Sequence, residues 1–341
     1  MDARTVPLQV FLRKRDGVFK ERLVIYILIL IGAFVISYLY KLRTDGIFDC
    51  QAGGYSSDRY LSDCEAKNYG IYEQGAFWFG LEPTAEISAA SADVLLLGDS
   101  RLQFAFSNAT TAQWFSSVST SYYLLGFVGY ENSVFARALL YKLKPRAKVY
   151  VINIADFFQP SETPEAKFIM HSDEARARYE IKHLWQLVHE PICRELAAIC
   201  GHNLVLFRSR QTGAFQTETY IPQITRLFKG RDRAVSYSQQ IDERQVDEAV
   251  AIGRIFLSEL PVKTECVVLT AIPAVDTKLG VANAIATGLG KVLVVPEHLD
   301  GLRTFDGSHL DIASAESWSG AFFTTAGPQI QKCLASHSSG R

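Results

Sequence analysis

The sequence predicts an α/β protein: a doubly wound, mostly parallel five-stranded sheet with helices on both faces, preceded by one transmembrane helix. Two observations predict the sheet. Short apolar runs without polar alternation recur along the chain, and helix-patterned segments separate them. Strands that are apolar on both sides belong to parallel sheets covered on both faces, joined by right-handed helical crossovers. A third observation, one unbroken apolar stretch near the N-terminus, predicts the membrane helix.

That stretch is Leu23 to Tyr40, long enough to cross a bilayer at 1.5 Å per residue. Arg4, Arg13, Lys14, Arg15, Lys20 and Arg22 precede it, and only Lys41 and Arg43 follow closely, which orients the N-terminus to the cytoplasm. The boundaries read as a basic stub over 1–22, an anchor over 23–43 and an extracytoplasmic, periplasmic remainder. A cleaved signal peptide is the competing reading, but the segment SYLYKLR after the apolar core is bulky and basic where small residues are expected.

The 341 residues are 48% apolar with a formal net charge of −1, enough to bury a core and without the basic excess of a nucleic-acid binder. Six cysteines suit an oxidising compartment: Cys50 with Cys64 and Cys193 with Cys200 are the expected disulfides, and Cys266, in an apolar run, reads as a buried free thiol. With no Cys-x-x-Cys pair and seven scattered histidines, no metal site and no cofactor are expected.

Residues 44–90, rich in Gly, Ser, Asp and aromatics, read as an irregular linker packed on the domain surface. From Asp93 the rhythm of strands begins, with Val94–Leu97 and Ser121–Leu125. Glu131–Leu143 is a helix closed by Pro145, and Lys148–Ile154 is the next strand. Glu243–Leu260 is a second helix, Cys266–Ile272 a fourth strand and Lys291–Val295 the fifth. The main domain spans 91–335, with a charged, helix-leaning insertion over 160–240 that could form a lid.

The strand Val94–Leu97 delivers Gly98-Asp99-Ser100 to a helix-leaning segment, so Ser100 stands at the edge of the sheet where such folds bind ligands. There its own N–H and the start of the helix can stabilise charge developing on a carbonyl oxygen. A Gly-Asp-Ser after a strand is equally a plain turn with a solvated serine. The segment Phe305-Asp306-Gly307-Ser308-His309-Leu310 changes that weighing, because it carries an acid and a base three residues apart on one loop. Asp306 can orient the imidazole of His309, which takes the proton of Ser100 as it attacks. Ile312–Phe322 reads as the helix anchoring that loop, and the bland alternative is a surface loop with a capping Asp306.

DVLLLGDS and DGSHLDIASAESWSGAF together resemble the Gly-Asp-Ser and Asp-x-x-His blocks of the SGNH or GDSL serine hydrolases and acyltransferases, over roughly residues 90 to 335. The resemblance implies a flavodoxin-like sheet and the catalytic set Ser100, Asp306 and His309. It also implies an oxyanion hole from the Ser100 N–H, a glycine block and an asparagine block. Gly126-Phe127-Val128-Gly129-Tyr130-Glu131-Asn132 looks like the glycine block, with Gly129 the first candidate donor and Gly126 the second. The asparagine block departs from the family's Gly-x-Asn; Asn153 is its candidate, and an ionised Asp156 three residues on would oppose an oxyanion unless paired or turned away. Arg101 is read as pairing with Asp99 or Asp156, or as binding an anionic part of a substrate, with Asp156 beside it in the substrate site; a solvated first-turn arginine is the alternative. The other histidines (His171, His183, His189, His202, His298 and His337) lack a matching acid and read as surface or core residues.

An outward-facing domain on one membrane helix resembles the envelope O-acetyl-modifying members of that family. The implied partners are therefore an acylated carbohydrate, the membrane and a multipass membrane acyltransferase. The expected activity is ester hydrolysis or acetyl transfer through an acyl-serine. Two alternatives are a non-catalytic glycan-binding or scaffolding protein on a degenerate SGNH fold, and a lipid esterase or thioesterase.

Overall fold

The computed structural model describes residues 9–129, 131–227, 229–296 and 299–338. Arg4, Tyr130 and His298, and the side chains of Arg13, Lys14, Arg15, Lys20 and His337, lie outside the described residues.

Helix α1 (Gln9–Thr44) contains the apolar stretch; over Glu21–Thr44 it is long and apolar enough to span a membrane, and its apolar 18-residue window is not buried by the rest of the protein. Its end docks onto the domain through the buried Leu42. There follow β1 (Arg59–Cys64), β2 (Gly70–Ile71), α2 (Glu73–Phe79) and α3 (Pro83–Ser91), then β3 (Val94–Asp99), α4 (Ser100–Ala105), α5 (Asn108–Ser117) and β4 (Tyr122–Phe127). The chain continues through α6 (Ser133–Leu143), β5 (Val149–Asn153), α7 (Pro164–His171), α8 (Ala175–Glu195), β6 (Val205–Ser209) and α9 (Thr217–Leu227). After β7 (Arg233–Ala234) and β8 (Tyr237–Ser238) come α10 (Glu243–Glu259), β9 (Val267–Thr270), β10 (Thr277–Lys278), α11 (Leu279–Gly288), β11 (Arg303–Thr304) and α12 (Ile312–Ser338).

The main sheet is parallel and four-stranded, in the order β4-β3-β5-β9. Alternate strand residues enter two cores. Leu95, Leu97 and Tyr150 pack with Phe135, Leu139 and Phe256 on one face, while Leu96, Val151 and Val268 pack with Phe106, Trp318 and Phe322 on the other. The predicted fifth strand is a correction. Lys291–Val295 makes only one bridge, Leu293 with Leu269. Val294 N–H donates to Leu269 O at 2.8 Å, but its carbonyl accepts from the Thr270 hydroxyl instead of a backbone N–H, and Pro296 has no N–H to extend a ladder.

Residues 44–90 are also more regular than predicted. β1 pairs antiparallel with β6, which lies inside the 160–240 insertion, and Tyr60, Tyr69, Tyr72 and Phe77 are fully buried. The insertion's α8 packs on α2, burying Tyr179 and Trp185, so segments on either side of the main sheet's first three strands form one joint layer against it. The disulfides Cys50–Cys64 and Cys193–Cys200 are as predicted. Cys266 is not a free thiol: it is bonded to Cys333 on α12, which ties the start of β9 to the helix on the opposite core.

Candidate active site

All members of the candidate site converge where the strands of the main sheet end. β3 terminates at Asp99, whose side chain accepts the Arg101 N–H at 3.0 Å and so caps α4, whose first residue is Ser100. This half-turn at a strand's end sets the Ser100 hydroxyl above the sheet edge. Burial raises the Asp99 carboxyl above its ordinary range, with Arg101 and His309 pulling the other way.

The second part is the loop between β11 and α12. Phe305 N–H donates to His309 O at 2.9 Å, and Asp306 Oδ1 accepts the N–H groups of Ser308 (2.9 Å) and His309 (2.8 Å), which locks the three-residue turn from inside. Asp306 Oδ2 then lies 2.7 Å from His309 Nδ1, and His309 Nε2 lies 2.8 Å from Ser100 Oγ. The imidazole is packed between Phe104 and Phe305, at ring-centroid distances of 4.7 and 5.7 Å. Burial alone would raise the Asp306 carboxyl, but the hydrogen bond and charge of His309 and the two backbone N–H groups outweigh it and hold it below its ordinary value. An ionised Asp306 fixes the tautomer with Nε2 free to accept the Ser100 proton.

Arg101 ties these parts together. Its Nε donates to Ser308 Oγ at 3.2 Å and its Nη1 stands 3.7 Å from Asp156 Oδ2; its neighbour Asp99 touches only the backbone N–H. Asp156, half exposed and in the left-handed region at φ +55°, is therefore paired. Arg101 and Asp156 line a cavity of about 110 Å³ with Gln159, Gln245, Thr277 and Lys278 at its polar wall. Neither that cavity nor a larger groove of about 1220 Å³, beside Tyr141, Tyr150 and Phe256, is lined by any of the three triad residues.

The proposed oxyanion residues occupy different situations. Asn153 ends β5, in line with Gly98 across the ladder; a Cβ on Gly98 would come 3.2 Å from the Asn153 Cβ. Its Oδ1 accepts the Ile272 N–H at 3.1 Å, and its Nδ2, fully buried, has no hydrogen-bond partner among the described residues. Gly126 lies within β4, where a Cβ would meet Asp99 O at 2.7 Å, so glycine there permits close approach of the two strands. Gly129 occupies the turn after β4 at φ +92°, a conformation that disfavours any side chain.

Among the described histidines the predicted lack of acid partners holds in part only. His171 Nε2 bonds Glu162 at 2.8 Å and His183 bonds the Tyr72 hydroxyl at 2.8 Å, with Glu82 3.9 Å away. His189 is buried between the Tyr55 hydroxyl and Cys50 O. These pairs bridge segments distant in sequence or loop-borne and had no sequence signal; none touches Ser100. His189, Cys193 and Cys200 are close enough together to suggest a metal set, but both sulfurs are committed to the disulfide.

Compared with known proteins, the chain matches no protein-family model, no curated protein and no solved structure.

Proposed function

We propose that this protein is a serine-dependent ester hydrolase or O-acyltransferase of the SGNH type, working through an acyl-Ser100 intermediate. The observation that carries the reading is the unbroken chain Ser100 Oγ···His309 Nε2 and His309 Nδ1···Asp306 Oδ2, at 2.8 and 2.7 Å. Ser100 Oγ attacks the ester carbonyl while His309 takes its proton, and Asp306 stabilises the resulting imidazolium. The carbonyl oxygen takes the charge, stabilised by N–H donors: Ser100, Gly129 and the unpartnered Nδ2 of Asn153. Collapse expels the alcohol, which leaves with the proton of His309. Water or a sugar hydroxyl, deprotonated by the same imidazole, then releases the acyl group.

The apolar helix, the basic residues before it and three disulfides support a domain held outside the membrane, in the periplasm, with the N-terminus in the cytoplasm. The arrangement of one apolar helix and an outward-facing domain, as in the envelope O-acetyl-modifying proteins that the chain resembles, favours an acetylated carbohydrate, the ester we assign as substrate, received from or passed to a multipass membrane acyltransferase.

The test is turnover of p-nitrophenyl acetate by the full chain and by Ser100→Ala. The reading expects Ser100-dependent release of nitrophenol; equal rates would sink it. Acceleration by added oligosaccharide assigns transfer, and no effect assigns hydrolysis.

A further inference from the structure

The turn that carries Gly129 is held from behind by α2, an element outside the main sheet. The Val128 N–H donates to Glu73 Oε1 at 2.8 Å, and Gln74 Nε2 donates to Val128 O at 2.5 Å and to Glu131 Oε1 at 2.7 Å. Both peptide groups flanking Val128 are thereby fixed. The second has a specific consequence, because the Val128 C=O and the Gly129 N–H belong to one planar trans peptide and point in opposite directions. By gripping the carbonyl, Gln74 turns the Gly129 N–H away from α2. None of the hydrogen bonds among the described residues uses that N–H, and a Cβ on Gly129 would find Gln74 Nε2 as its nearest neighbour, at 3.7 Å.

The grip is itself anchored. Glu73 Oε2 accepts from Arg208 Nη1 at 2.8 Å with both side chains fully buried, and Arg208 Nη2 donates to Leu124 O of β4. Glu131, on the far side, also accepts from Thr163 Oγ1 at 3.0 Å. The clamp thus draws residues from α2 and β6, the two segments that form the antiparallel layer, and applies them to the end of a main-sheet strand.

We infer that Gln74, backed by the Glu73–Arg208 pair, is a positioning residue that orients the Gly129 N–H as an oxyanion donor. This rests on the esterase or transferase reading, in which that N–H faces the developing charge. On that account the segment before the main sheet is part of the catalytic apparatus without touching substrate.

The experiment substitutes Gln74→Met in the full chain, which keeps the length and removes the donor. Expected are a fall in kcat for p-nitrophenyl acetate of about 10- to 100-fold, less than the roughly 100- to 1000-fold that follows outright loss of one oxyanion donor because the Gly129 N–H remains, with KM within about twofold. Amide hydrogen exchange at Val128, whose N–H is bonded to Glu73, should quicken at least tenfold while exchange within β3 and β5 stays as in the wild type. A variant with unchanged kcat and unchanged exchange overturns the inference. Faster exchange in β3 and β5 as well would mean a general loss of fold; Gln74→Leu then serves, and loss of β3 and β5 protection in it too assigns Gln74 a purely structural role and overturns the inference. If the wild type has no Ser100-dependent turnover, the catalytic reading fails first, and exchange at Val128 still decides whether the clamp exists.

Discussion

Arg208 and Glu73 form a fully buried ion pair, Nη1 to Oε2 at 2.8 Å, between a strand of the insertion and the helix that precedes the main sheet. Burial pushes the Glu73 carboxyl up to about 7, with Arg208 and the Val128 N–H lowering it. Arg208→Met removes the partner of a buried carboxylate and should cost about 3–5 kcal/mol, measured by denaturant unfolding. The double variant Arg208→Met, Glu73→Gln should recover part of that loss; a double variant less stable than the single one would contradict this.

Asp306→Asn leaves the loop's shape but offers an N–H where His309 Nδ1 needs an acceptor. Expected is a fall in kcat of about 10³- to 10⁴-fold with little change in KM. Steady-state kinetics check it, and a loss below tenfold would remove Asp306 from the triad.

Arg101→Met breaks the link from α4 to Ser308 and leaves Asp156 without its cation. Activity should fall about tenfold or more, because an unpaired carboxylate beside the site opposes oxyanion formation. Arg101→Met, Asp156→Asn should regain much of it. No recovery in the double variant would show that Arg101 acts in another way.

Burial, with Glu165 and Glu73 nearby, pushes the Glu131 carboxyl up to about 8 from its ordinary 4.5. The folded value lies above the unfolded one, so this group's contribution to stability is complete below about pH 4.5 and is lost as the pH rises through about 8. Glu131→Gln should therefore flatten the decline in unfolding free energy between those limits, a change on the order of a few kcal/mol. Unfolding curves at several pH values measure it, and an unaltered slope would contradict the assignment.

The Cys266–Cys333 bond closes a loop of 67 residues. Replacing both cysteines with alanine should cost about 4 kcal/mol by loop-closure entropy. A double variant as stable as the parent would mean the bond is not formed.

The parallel strands were legible because their residues are apolar on both faces: Val94 to Leu97 and Val149 to Ile152 have no solvent side to betray a different fold. The triad was legible because Asp306 and His309 share one turn, so sequence spacing is spatial spacing. The antiparallel layer was not. β1 and β6 are separated by about 140 residues and contain the half-buried Arg59 and Asp63 and the fully buried Arg208, charged residues whose packing depends on partners no local pattern reveals. The clamp on Val128 escaped for the same reason, since Glu73 and Gln74 look like a solvated helix start until α2 is packed. Cys333 gave no signal because it lies in a helix far from Cys266.

The central claim is a covalent acyl-serine at the end of β3. The full chain, mixed with p-nitrophenyl acetate and acid-quenched within the first turnovers, should carry an added acetyl group on the peptide containing Ser100. The adduct should be absent in Ser100→Ala and nearly absent in His309→Ala. Nitrophenol release from a wild-type chain whose Ser100 peptide is never acetylated, with the same release in Ser100→Ala, would contradict the account.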